Sequence, residues 1–143
     1  MREILFRGKH SPKSMWDYGD LYIDHDKVYI SMRETMHGVR VHGEVIPETV
    51  GQFTGLTDKN GKKIFEGDIV KYVDDGYDAT GVARFGLYAS AGAAFAGHEG
   101  FYLDWAGCDW LRKDIGFWAT MRPIEIIGNI HDNPELMEDE YHG

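Results

Sequence analysis

Q-F-T-G-L-T-D-K-N-G-K-K-I-F-E-G-D-I-V-K-Y, Gln52 to Tyr72, carries runs of strand-forming residues broken at two glycine turns. Asn60-Gly61, preceded by Asp58, is a dipeptide that tight hairpins favour, because both residues tolerate positive φ. The flanking segments Gln52–Leu56 and Lys62–Phe65 are short and rich in strand formers. Glu66-Gly67-Asp68 is a second reversal, where Gly67 can take a conformation closed to other residues. It leads into Ile69-Val70-Lys71-Tyr72-Val73, a clear strand. Strands entered through a Gly-Asp corner recur in small, strongly bent barrels of the SH3-like kind, an analogy of fold and not of function.

Outward from this stretch, short strands predominate. Ile4-Leu5-Phe6 reads as a first strand ending at Gly8. Tyr22–Asp24 and Val28–Met32 read as a hairpin, turned through the polar Asp24-His25-Asp26-Lys27. Val39-Arg40-Val41-His42 alternates like a half-buried strand, and Pro47 marks an edge. Further strands are expected at Gly81–Phe85, Phe101–Trp105 and Ile124–Ile127. Trp110–Trp118 reads as a short helical turn ending near Gly116, and Ala89–Gly97 as a mobile loop. Asn133-Pro134-Glu135 starts a short C-terminal helix, with Asn as N-cap and Pro in the first turn.

The fold class is therefore mostly β: short antiparallel strands forming a small SH3-like barrel or a sandwich, with a short C-terminal helix. A break near Val50 separates an N-terminal β region, 1–50, from an SH3-like region with the helix, 51–143. One continuous domain over 1–143 is the alternative.

Composition narrows the function classes. The chain of 143 residues is 43% hydrophobic and 13% aromatic, enough for a core. Cys108 is the single cysteine, so neither an internal disulfide nor a multi-cysteine zinc site is available. No segment approaches the roughly 20 consecutive apolar residues of a membrane span. Arg7 breaks the N-terminal apolar run too early for a signal peptide, which points to the cytoplasm. The net charge is −9; residues 1–50 hold seven Lys/Arg against eight Asp/Glu, and residues 51–143 eight against sixteen. A duplex binder needs a basic face, and no basic cluster stands out.

Reactive constellations are missing. The histidines at 10, 25, 37, 42, 98, 131 and 142 follow no zinc-ligand spacing. Asp58-Lys59-Asn60-Gly61 shares letters with a calcium loop but lacks its later acidic ligands. Asp68 and Asp104 are conceivable as an acid–base pair, yet Asp68 already has a structural role in the Gly-Asp corner. Asp109 beside Cys108 disfavours a thiolate. No phosphate-binding glycine loop or Gly-x-Ser-x-Gly elbow occurs. No catalytic residue, cofactor or metal is expected. Tyr102, Trp105, Trp110, Phe117 and Trp118 form the densest aromatic cluster. Core packing is its default role, and on an exposed face it would be an interface, first of all for self-association.

Two motifs carry a family resemblance. T-G-L-T-D-K-N-G-K-K-I-F-E-G-D-I-V (Thr54 to Val70) and I-G-N-I-H-D-N-P-E-L-M (Ile127 to Met137) resemble the YopX-like family of phage and prophage proteins. The opening R-E-I-L-F-R agrees more weakly. The family's F-R-A-W-D reads F-R-G-K-H at Phe6–His10, and Ala89–Gly100 looks like an insertion. The resemblance implies a β-rich, often oligomeric phage protein of no established activity, and so brings no catalytic residues. The function expected is a non-enzymatic accessory protein in the host bacterial cytoplasm. It would act by contact with itself or with a phage or host protein. The alternative is a nucleic-acid-associated SH3-like protein using Lys62, Lys63, Lys71 and Arg84.

Overall fold

The computed structural model describes residues 3–36, 39–74, 77–89, 97–107, 113–121 and 124–137. In chain order the elements are β1 (Phe6–Gly8), β2 (Asp17–Asp24), β3 (Lys27–Met36), β4 (Val39–Val45), a 3-10 turn (Pro47–Thr49) and β5 (Gly51–Thr57). There follow β6 (Lys63–Phe65), β7 (Asp68–Asp74), β8 (Tyr77–Ala89), β9 (Gly97–Trp105), α1 (Ile115–Met121) and β10 (Ile124–Asn129). Residues 135–137 open a further helical turn after Asn133-Pro134. One sheet has the order β4-β3-β2-β1-β5-β6 and the other β10-β7-β8-β9; both are antiparallel. The chain divides into two compact units, Met1–Gly55 and Leu56–Gly143.

In the first unit, β2 and β3 pair from Gly19↔Met32 to Asp24↔Lys27, which leaves His25 and Asp26 as a two-residue turn. His25 takes the positive φ, 54°, and its Nδ1 lies 2.7 Å from Asp24 Oδ1. The strands approach closely at Gly19: a Cβ there would stand 2.1 Å from the Ser31 carbonyl oxygen. Thr49 closes the end of this unit. Its hydroxyl accepts from Lys9 N–H at 2.9 Å and donates to the Ile46 carbonyl at 2.6 Å.

The second unit is built around β7, whose Ile69 and Val70 point to opposite faces and are both fully buried. Val70, Tyr72, Ala79, Ala83, Leu103, Trp105, Trp118 and Ile124 form its main core, with Ile64 of β6. Gly81 lies opposite Trp105 in the β8–β9 register, and a Cβ there would meet the indole at 2.9 Å. The missing side chain lets the ring lie across the neighbouring strand.

Neither sheet closes into a barrel, which corrects that half of the expected architecture. Closure needs terminal strands to pair with each other. In the second sheet other segments occupy their flanks. Leu103 N–H of β9 donates to the Lys113 carbonyl at 2.8 Å, and Tyr102 bridges to Asp114. The 58–62 loop lies along β10, where Lys59 N–H donates to the Ile124 carbonyl at 3.0 Å. The helical turn expected to end near Gly116 instead begins there as α1, which seats Ile115 and Trp118 in the core. β8 and β9 extend beyond their expected ranges. Residues 90–96, most of the expected mobile loop, lie outside the described residues.

Candidate functional site

Residues with chemical potential occupy three places in the second unit. The first is the loop between β5 and β6. Asp58 is 6% exposed, and its Oδ1 accepts from Asn60 N–H and Lys62 N–H, each at 2.9 Å. Its Oδ2 accepts from Ile126 N–H of β10 at 3.1 Å. The Asp58 N–H donates to the Lys62 carbonyl at 2.8 Å, and Gly61, with φ 79°, donates to the Asp58 carbonyl at 3.0 Å. The buried carboxylate thus gives partners to donors of the loop and of β10. Its oxygens are committed to backbone, not turned toward a cation. Among the described residues no group of three potential ligands could hold a metal ion.

The second place is the turn between β6 and β7. Asp68 is 3% exposed, and its Oδ2 accepts from Phe65 N–H at 2.7 Å. Gly67, at φ 94°, donates to the Ala83 carbonyl at 2.7 Å and accepts from Ile130 N–H at 2.9 Å. Asp104, the other imagined half of an acid–base pair, lies opposite Val82, which lies opposite Ile69. Ile69 follows Asp68, so the pleat directs the two aspartates to opposite faces of the sheet. Asp104 also holds Arg84 Nε at 2.9 Å. The pair is not assembled.

The third place is the end of β10. Asn129 Oδ1 accepts from His131 N–H at 3.0 Å and Asp132 N–H at 2.9 Å, while its Nδ2 donates to Asp132 at 3.0 Å. Asn133 donates its N–H to the Asn129 carbonyl at 2.8 Å. A Cβ on Gly128 would stand 2.5 Å from Asn133 Oδ1. Asp58, Gly67, Asp68, Asn129 and Asn133 of the two quoted motifs are therefore spent on turns and on anchoring β10.

The aromatic cluster divides. Trp105 and Trp118 are 3% and 4% exposed and meet edge to face at 4.9 Å. Tyr72 and Phe117 pack on Trp118 at 5.0 and 5.3 Å. Tyr102 is half-buried and stacks on Tyr88 at 5.3 Å, and Trp110 lies outside the described residues. The apolar side chains that do face solvent in this unit include Phe85 at 50% and Leu87 at 76% exposure. They share one face of the β8–β9 ribbon with Phe101, beyond Val82, where the β7 pairing stops. Phe85 closes the expected strand Gly81–Phe85, but Leu87 lay past it, in a Gly- and Ala-rich run with weak strand signal.

Of the cations needed for a nucleic-acid face, Lys71 lies 3.9 Å from Asp78 and Arg84 is held by Asp104. Lys62 and Lys63 are exposed. In the first unit, Arg7 and Lys9 are buried beside Trp16, at 4.3 and 5.2 Å from its ring. This cation–aromatic stack was not foreseen from F-R-G-K-H, because Trp16 lies across a polar loop.

No helix among the described residues is long and apolar enough to cross a membrane. No curated protein matches the chain. Among solved structures it is similar to protein EF1440 from Enterococcus faecalis, at 21% identity and TM-score 0.54, over 96% of this chain and 99% of that one. That likeness is one of fold. The model of the YopX protein family matches residues 5–138, and neither description names a reaction. With both motifs placed in its framework, the chain belongs to the YopX family.

Proposed function

We propose that this protein works through protein–protein contact as a homo-oligomer, in an accessory role in a phage or prophage and within the host cytoplasm. The observation that carries the reading is the apolar face of the β8–β9 ribbon. Phe85 and Leu87 are half or more exposed on a two-stranded extension. Two-stranded ribbons are marginal in water without cover, and large exposed apolar side chains on them favour a partner. The family resemblance favours self-association as the first such partner. With Asp58 and Asp68 of the first motif committed to backbone groups, the described residues offer no candidate set for a catalytic role. The pairing of Lys71 and Arg84 with carboxylates weighs against the nucleic-acid alternative.

Light scattering coupled to size exclusion tests the reading. The intact chain is expected to elute as a multimer, and Leu87→Glu to move it to the monomer with its circular dichroism unchanged. Burying one charge against an apolar surface costs several kcal/mol, enough to shift association by about a hundredfold or more. A monomer at high concentration for the intact chain would reject the homo-oligomer.

A further inference from the structure

We propose that Asn60 is the chain's preferred site of deamidation, and that the Asp58 clamp holds this reaction back in the folded protein. The chain has three asparagines, at 60, 129 and 133. Deamidation begins when the following residue's backbone nitrogen attacks the side-chain carbonyl carbon. Asn133 precedes Pro134, which has no N–H to lose. Asn129 precedes the branched Ile130, is 8% exposed, and has its amide engaged at both ends. Asn60 precedes Gly61, both are exposed, and no atom beyond Gly61 and its two chain neighbours lies within 4 Å of where a Gly61 Cβ would stand. Nothing there crowds a cyclic intermediate.

The step balances without an added oxidant or reductant. A bond forms between Gly61 N and Asn60 Cγ, the Cγ–Nδ2 bond breaks, and ammonia leaves with the proton taken from Gly61. Water then opens the succinimide at either carbonyl, giving aspartate or isoaspartate. In the folded loop, however, the nucleophile is occupied, because Gly61 N–H donates to the Asp58 carbonyl at 3.0 Å. Asn60 Nδ2 is tethered to Glu125 Oε1 at 3.3 Å, and Asn60 N–H is held by Asp58 Oδ1 at 2.9 Å. Reaction therefore waits on local opening of the loop.

The product is not neutral to the fold. A carboxylate at position 60 would face Glu125, and isoaspartate would add a backbone methylene between the two N–H groups that Asp58 Oδ1 holds. Either change loosens the loop's grip on β10, in one direction only.

The test follows Asn60 by peptide mapping with isoaspartate resolved, on the full chain in mildly alkaline buffer, folded and in urea. Asn60 is expected to convert ahead of Asn129 and Asn133. It should convert at least about tenfold more slowly folded than unfolded, the factor that one net hydrogen bond of opening free energy supplies. Asp58→Ala should remove most of that difference. If that variant does not fold, Glu125→Ala, on an exposed side chain, should still speed conversion in the folded chain by about twofold, the value of a weak surface tether. Equal rates in folded and unfolded chain, earlier conversion of Asn129 or Asn133, or no response in Glu125→Ala would overturn the proposal.

Discussion

Asp58→Ala is expected to destabilise the protein by about 3 kcal/mol, since it removes a charged acceptor from three backbone donors. For a chain of 143 residues that corresponds to a fall in melting temperature of roughly 10 °C. Asp58 is nearly buried, so water cannot fully replace the lost oxygens. The damage should spread beyond the loop, because Ile126 belongs to β10 and β10 flanks the core strand β7. Asp58→Asn separates charge from geometry. It keeps one acceptor oxygen but turns an NH2 group toward a donor, so about half the loss is expected. Thermal melts followed by tryptophan fluorescence report directly, as Trp105 and Trp118 lie in the same unit's core. A melting temperature within a degree or two of the parent would show that the clamp contributes little.

Gly19→Ala is expected to be comparably severe, for a steric reason. Its Cβ would stand 2.1 Å from the Ser31 carbonyl oxygen and 2.8 Å from that carbonyl's carbon, both backbone atoms of the adjoining strand. Backbone cannot yield as a long side chain does, so the β2–β3 ladder must shift or open at its Gly19↔Met32 end. Overpacking of this kind costs about 3 kcal/mol. Gly8→Ala serves as a graded comparison. There a Cβ would meet only Val45 side-chain atoms, at 3.0 to 3.2 Å, and a smaller loss is expected. Urea denaturation followed by far-ultraviolet circular dichroism checks both. Equal stabilities for the two variants would contradict the close approach at Gly19.

These two positions also mark how far the fold was legible from residues alone. Asn60-Gly61 and Gly67-Asp68 announce their turns locally, since positive φ is a property of one or two residues. The polar turn at His25-Asp26 was legible in the same local way, and Asn133-Pro134 through the preference of Asn for a helix N-cap and Pro for the first turn. Asp58 announced only a turn; its bond to Ile126 joins residues 68 apart in sequence and has no local signature. Gly19 carried no signal at all, because its constraint is a carbonyl on another strand. The choice between barrel and sandwich was left open because local turn chemistry says nothing about what flanks the terminal strands. The helix α1 was displaced because burial of Ile115 and Trp118, not the break at Gly116, sets where it runs. Within the aromatic cluster, sequence makes core packing the default and an interface the alternative. The most exposed large apolar side chains among the described residues of the second unit are Phe85 and Leu87, where glycine and alanine dilute the strand pattern.

Native-state amide hydrogen exchange tests most directly whether the first of the family's two motifs is architecture. The amides of Asn60, Lys62 and Ile126 point at Asp58, and that of Phe65 at Asp68. All four should exchange slowly, with protection near that of the β7 core. In Asp58→Ala the first three should lose protection while Phe65 keeps it. Exchange of these amides in the intact chain as fast as in exposed loops would contradict the account.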